Sequence, residues 1–311
     1  MKRTLIVAAI ATLATGAALA QSAVTIYGRL NLTLESMDNN GIKTKVMNNN
    51  SSRLGFKGQE DMGGGLKAGF VLEHGFSPDT GLPAASFWGR QSEVNLSGGF
   101  GMVRLGNFTS EAYFATADYI SMHNHDTGTS SDALYAYVGR NINKVAYRTP
   151  EFVKGLTMEG AVSLGEGVAG RKRSYDFAAN YGVGPLHIGV GYEKNDTAKQ
   201  LAVSGLYEFG SFVLGGLVQR DTDAYGPGNR TNFRISAAYM LGTSEFHANV
   251  GVADDYSKLS DSGARQFTLG YNYNLSKRTK VYGYYTKIDA ERFTPYAVDF
   301  SSLAVGVRHN F

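Results

Sequence analysis

The 311-residue chain holds 39 Gly, 19 Tyr and 17 Phe but only 6 Pro and no Cys, and its 30 basic residues nearly balance 27 acidic ones. That composition excludes a disulfide-stapled scaffold, and the near-neutral charge lacks the basic footprint of a nucleic-acid binder. It fits many short strands joined by glycine-rich turns.

The first element is a leader. Lys2 and Arg3 precede an apolar run from Leu5 to Leu13, followed by Ala18-Leu19-Ala20. These are the charged, apolar and small-residue parts of a secretory signal peptide, with cleavage predicted after Ala20. The run is shorter than the roughly 20 residues of a membrane-spanning helix. Residues 1–20 are therefore read as a cleaved leader and 21–311 as one domain. Loss of Lys2 and Arg3 lowers the formal net charge from +3 to about +1. An exported, cysteine-free, strand-rich chain is either a soluble β-protein or an outer-membrane barrel.

Beyond the leader, period-two alternation predicts sixteen strands. In the first, Val24, Ile26, Gly28, Leu30, Leu32 and Leu34 alternate with Thr25, Tyr27, Arg29, Asn31, Thr33 and Glu35. Further segments begin near Arg53, Leu66, Trp88, Gly101, Arg140, Leu156, Ser174, Leu186, Gln200, Phe212, Asn232, Glu245, Arg265, Thr279 and Ser302. The last runs to Phe311, with Leu303, Val305, Val307, His309 and Phe311 on one face. Such a strand needs a partner along its length, which a closed sheet supplies. Tight turns such as Asp61 to Gly65 and Gly182 to Pro185 alternate with longer polar connections, and an even strand number returns both ends to the tight-turn side.

The fold class is thus all-β, a 16-stranded antiparallel transmembrane β-barrel. A basic residue on the lipid face near the midplane costs roughly 2–4 kcal/mol, so rows holding Arg29, Lys57, Lys67 and Arg234 must face a wet lumen. Alternation alone also permits a soluble sandwich. Barrels of about sixteen strands are too wide for side chains to fill, which makes a hole the default function. The longest connection, about Phe108 to Gly139, exceeds ordinary loop lengths and so is expected to have a job.

Several stretches, VTIYGRL (Val24 to Leu30), SRLGFKGQEDMGGGLKAGF (Ser52 to Phe70), LSGGFGMVRLGN (Leu96 to Asn107), RNINKVAYRTPEF (Arg140 to Phe152), YNLSKRTKVYGYY (Tyr273 to Tyr285) and VGVRHNF, run in one order along the chain. As a set they resemble the general porins of β-proteobacteria, of the Neisseria and Comamonas type. The resemblance implies an outer-membrane homotrimer that passes small hydrophilic solutes by diffusion. It also implies a third extracellular loop folded into the barrel, with Glu111, Asp118, Asp126 and Asp132 facing the wall, and Phe311 read as a signal by the barrel-assembly machinery.

Opposite that loop the family places an arginine ladder, to which Arg53, Arg90 and Arg140 correspond. Arg53 shares its polar row with Lys57, and Arg140 with Lys144 and Arg148, so both are expected to point inward. Arg90 rests on the resemblance alone, because continuing the Val94 and Leu96 row back to it aims it at lipid. Arg29, Lys57, Lys67, Arg104, Lys144 and Arg148 add basic pore-lining positions, and such rings select ions by sign. The expected preference is for anions.

Other partners expected are outer-membrane lipid and lipopolysaccharide, with no nucleic acid. His123-Asn124-His125-Asp126 is read as a solvated turn rather than a metal cluster, Arg171-Lys172-Arg173 as a solvated charge run, and no cofactor is expected. A substrate-selective channel and an outer-membrane barrel enzyme remain alternatives, although spacing marks no catalytic triad.

Overall fold

A computed structural model describes residues 23–118, 120, 132–292 and 299–311. In chain order its strands are β1 (Ala23–Asn39), β2 (Ile42–Asn49), β3 (Arg53–Gly63), β4 (Leu66–Ser77), β5 (Leu82–Pro83), β6 (Gln91–Gly98), β7 (Gly101–Asn107), β8 (Lys144–Arg148) and β9 (Leu156–Ser163). There follow β10 (Ser174–Val183), β11 (Leu186–Asn195), β12 (Ala198–Phe209), β13 (Phe212–Thr222), β14 (Asn229–Leu241), β15 (Ser244–Ala253), β16 (Ala264–Asn274), β17 (Thr279–Ala290) and β18 (Phe300–Asn310). Neighbours pair antiparallel, and β18 pairs with β1 from Arg29↔Asn310 to Asn39↔Phe300, so the sheet closes into a barrel.

The wall has sixteen positions. The two-residue β5 pairs only with the end of β4, and β2 and β3 share one position beside the 17-residue β1. Residues 50–52 interrupt that shared strand, with Ser51 at φ 59°. Asn31 repairs the ladder there: its backbone N–H donates to Ser52 Oγ at 2.9 Å and its side-chain amide donates to the Asn50 carbonyl at 3.0 Å. The interruption behaves as a bulge, which kinks a strand while its neighbours stay paired. The β2 segment was not anticipated from alternation.

The orientation follows the expected rows. Val24, Ile26, Leu30 and Leu34 are exposed on the outside, whereas Asn31, Thr33 and Glu35 are buried on the inside. The same inversion holds on β18, where Leu303, Val305 and Val307 are exposed and Ser302 and Ala304 buried. Apolar side chains outside and polar ones inside suit a wall between lipid and water, and exclude a soluble sandwich. In the β3–β4 turn Gly63, Gly64 and Gly65 all have positive φ, which suits a tight turn.

Two strands begin later than their sequence segments. The Trp88 segment becomes a strand only at Gln91 and the Arg140 segment only at Lys144. Period-two reasoning therefore does not reach Arg90 or Arg140.

Candidate functional site

On the inner wall a basic row crosses the barrel seam. Lys280 on β17 lies opposite Arg308 on β18, and Arg308 lies opposite Asn31 of β1. Two residues along, Arg29 of β1 lies opposite both Asn310 of β18 and Arg53 of β3. Arg90, just before β6, completes the row through Glu73 of β4.

Glu73 is the hub. Its carboxylate accepts from Arg90 Nε at 2.6 Å and from the Tyr27 hydroxyl at 2.9 Å, with Arg53 Nε at 3.9 Å. Arg90 is thereby an inward-facing group, and its side chain lies over the space left by Gly75. Arg29 Nε donates to Asn310 Oδ1 at 3.0 Å, and Lys280 Nζ donates to Glu245 Oε2 at 3.3 Å. Among the described residues the row sets five cations, Lys280, Arg308, Arg29, Arg53 and Arg90, against two carboxylates, Glu73 and Glu245. Guanidinium groups keep their charge at any working pH and match carboxylate and phosphate geometry.

The long connection packs against the opposite wall. It enters through α1 (Glu111–Tyr113) and one turn of π-helix at Phe114–Asp118. The Ala115 carbonyl accepts from Ser204 Oγ of β12 at 2.9 Å, and a Cβ at Gly189 or Gly191 of β11 would strike loop backbone. Tyr113, Ala117, Ile120 and Tyr135 form an apolar cluster with Ala202, Leu206 and Leu217 of β12 and β13. From the β3 position the ring runs β4, β6, β7, β8, β9, β10, β11, β12, which is eight steps and half of sixteen. The loop therefore sits diametrically across the lumen from the basic row.

Its return limb is tied by side chains. Gln219 accepts from the Ala136 N–H at 2.8 Å and donates to the Ala136 carbonyl at 3.0 Å. Glu193 accepts from the N–H groups of Val138 and Gly139, each at 3.2 Å. Arg230, ion-paired with Asp221 at 2.8 Å, and Asn232 both donate to the Leu134 carbonyl. These groups satisfy backbone polar atoms that a loop buried against a wall would otherwise strand.

The candidate residues divide. Arg53, Arg90 and Arg29 are brought together, and Lys57 and Lys67 stand exposed on the same inner face nearer the tight turns, with Lys57 Nζ 5.3 Å from the Tyr27 ring centre. Arg140 is not in this row. Its guanidinium donates to the backbone carbonyls of Ser163, Leu164 and Lys172, so it fastens the β9–β10 connection.

Arg104, Lys144 and Arg148 are also displaced from the open lumen. Arg104 bridges Glu93 at 2.6 Å and Glu159 at 3.1 Å beneath the Phe108 ring, and the buried Lys144 pairs with Asp176 at 2.9 Å. Arg148 joins Glu159 at 2.9 Å to Glu111 at 2.5 Å. Glu111 thus anchors the loop to the adjacent wall instead of facing the arginines. Burial pushes its carboxyl up from the ordinary range, and the Arg148 charge offsets only part of that. Asp118 is half-buried on the loop, whereas Asp126 lies outside the described residues, as do His123 and His125. Asp132, buried at the loop's return, accepts from the Tyr137 hydroxyl at 2.8 Å.

Arg308 and Lys280 were missed as site residues. Alternation in VGVRHNF already puts Arg308 on the face opposite Val305 and Val307, so the signal was present. Glu193 and Gln219 had no such signal, because only the folded loop reveals which inward polar groups it meets.

Comparison with known proteins agrees with this architecture. The family model described as Gram-negative porin matches residues 6–292. Outer membrane porin protein 32 of Delftia acidovorans is 33% identical, covering 91% of this chain and 88% of that one. Major outer membrane protein P.IB of a Neisseria meningitidis serogroup B strain is 31% identical, covering 90% and 91%. A solved structure described as the anion-selective porin from Comamonas acidovorans matches with TM-score 0.78 and 27% identity, covering 94% and 100%. OmpT of Vibrio cholerae, solved in a trimer form, has the same fold at TM-score 0.71 and 15% identity, covering 93% and 99%. The chain therefore belongs to the Gram-negative porin family and forms an outer-membrane β-barrel channel.

Proposed function

We propose that the channel passes small hydrophilic solutes by passive diffusion and prefers anions. The observation that carries this reading is the basic row across the seam, Lys280–Arg308–Arg29–Arg53–Arg90, facing the folded loop across the lumen. An anion entering the gap between them meets an excess of positive charge on one wall, and a cation is repelled there. The similarity to a porin described as anion-selective points the same way.

The working assembly is a homotrimer, supported by the trimer form of the structurally similar OmpT. Residues 1–20 are the cleaved leader, and Phe311 is the signal read by the barrel-assembly machinery. Asp118 and Asp126 contribute the loop's negative charge, with lipid and lipopolysaccharide around the barrel. Single-channel recordings in a planar bilayer under a salt gradient test this reading. An anion-directed reversal potential supports it, and a cation-directed one refutes the role given to the row.

A further inference from the structure

The outer wall carries a second basic feature, at the rim on the long-loop side. Lys194 and Lys199 lie directly opposite one another across β11 and β12, and both are exposed on the outward row. Arg220, opposite Leu201 on β13, is exposed one diagonal step away. Like charges directly opposite in a sheet repel, so this placement costs stability unless something neutralises it.

Among the described residues no ion pair joins these three to an acid. The neighbouring carboxylates Glu193 and Asp221 are buried inside the barrel, and Asp196 is taken by Lys172 at 2.6 Å. Elsewhere on the outer face Lys287 meets Asp289 at 2.5 Å, and Lys43 lies opposite Asp38. The β11–β13 patch is uncompensated by contrast.

Its height identifies the counter-charge. Tyr175 lies beside Lys194 in register, Tyr192 stands two residues below it, and the apolar row of Val190 and Ile188 continues downward. Outward tyrosines above an apolar band mark the level where hydrocarbon gives way to headgroups. We propose that Lys194, Lys199 and Arg220 form a docking surface for the phosphate groups of a phosphorylated glycolipid in the outer leaflet, whose acyl chains lie along the apolar row beneath. This rests on the porin reading, which turns the long-loop end of the barrel toward that leaflet.

The test uses full-length folded porin in detergent, titrated with bis-phosphorylated lipid A and, separately, with its dephosphorylated form. The expected result is at least tenfold tighter binding of the phosphorylated lipid. Inorganic phosphate at matched concentration should not displace it. That preference should disappear in a Lys194→Gln, Lys199→Gln, Arg220→Gln variant and persist in a Lys43→Gln, Lys45→Gln control.

Equal binding of the two lipids to the unmodified protein would overturn the proposal without needing any variant. So would a preference that survives the triple substitution, and displacement by inorganic phosphate would show an anion site rather than a lipid one. Bilayer conductance of the triple variant separates the two readings: open channels of unchanged selectivity leave the porin reading intact whatever the lipid titration shows.

Discussion

Gly28 and Phe311 exchange both backbone hydrogen bonds, each at 3.1 Å, and the Phe311 ring occupies the space where a side chain on residue 28 would begin. The bonds continue the β18–β1 pairing one step beyond Arg29↔Asn310 and complete the seam at its tight-turn end. A residue larger than glycine at 28 would push the ring away.

Gly28→Val should therefore weaken closure, as should deletion of Phe311. Two backbone hydrogen bonds at about 1 kcal/mol each, together with lost ring packing, suggest a cost of roughly 2–4 kcal/mol. Heat-modifiable mobility on gels reads the folded fraction. Unchanged folded trimer in both variants would contradict the assigned closure and assembly roles.

Neutralising the basic row should move selectivity. A unit charge about 10 Å from a permeating ion in water is worth about 0.4 kcal/mol, roughly a twofold change in relative permeability. Arg53→Gln or Arg308→Gln should each lower the anion-to-cation permeability ratio by about that factor. Arg140→Gln, which removes bonds to three backbone carbonyls, should leave the ratio nearly unchanged while loosening the β9–β10 connection. Reversal potentials of the three variants distinguish these roles.

The loop's anchors predict a different phenotype. Gln219→Ala removes two hydrogen bonds to Ala136, and Glu193→Ala strands the N–H groups of Val138 and Gly139. Each should destabilise the docked loop by about 1–3 kcal/mol. Single-channel traces should then show added current noise and larger unitary conductance. Traces identical to those of the unmodified protein would mean that the apolar cluster around Tyr135 holds the loop without them.

Among the described carboxyls, acidification should act first at Glu111. A carboxyl whose pKa is raised takes its proton as pH falls before an ordinary carboxyl does, removing one negative charge from the lumen and weakening its hold on Arg148. Anion preference should accordingly rise on mild acidification. The rise should be smaller in Glu111→Gln, which already lacks the charge, and reversal potentials across a pH series would show whether it is.

Much of this was legible in the residues. Period two put Arg29, Arg53 and Lys57 on one face and Val24, Val305 and Val307 on the other, and lipid leaves only one choice of which is outside. Alternation failed where strands stop. Arg90 and Arg140 lie just before β6 and β8, where hydrogen bonds to Glu73 and to loop carbonyls set their direction. Arg104, Lys144 and Arg148 do face inward, but Glu93, Glu159 and Asp176 neutralise them at the root of the loop, a pairing between distant segments that no local pattern encodes. The break between β2 and β3 is not legible from a two-residue period because the extra residue flips its parity: Met47, opposite Leu34, and Leu54, opposite Gly28, lie on one face although seven residues apart.

In the proposed function the seam arginines give this channel its sign. Its most direct test is the reversal potential of purified, folded porin in a planar bilayer under a salt gradient, measured beside Arg53→Gln, Arg308→Gln. The expected result is an anion-directed potential that shifts toward zero in the double variant. A cation-directed potential, or an anion-directed one that the double substitution leaves in place, would contradict it.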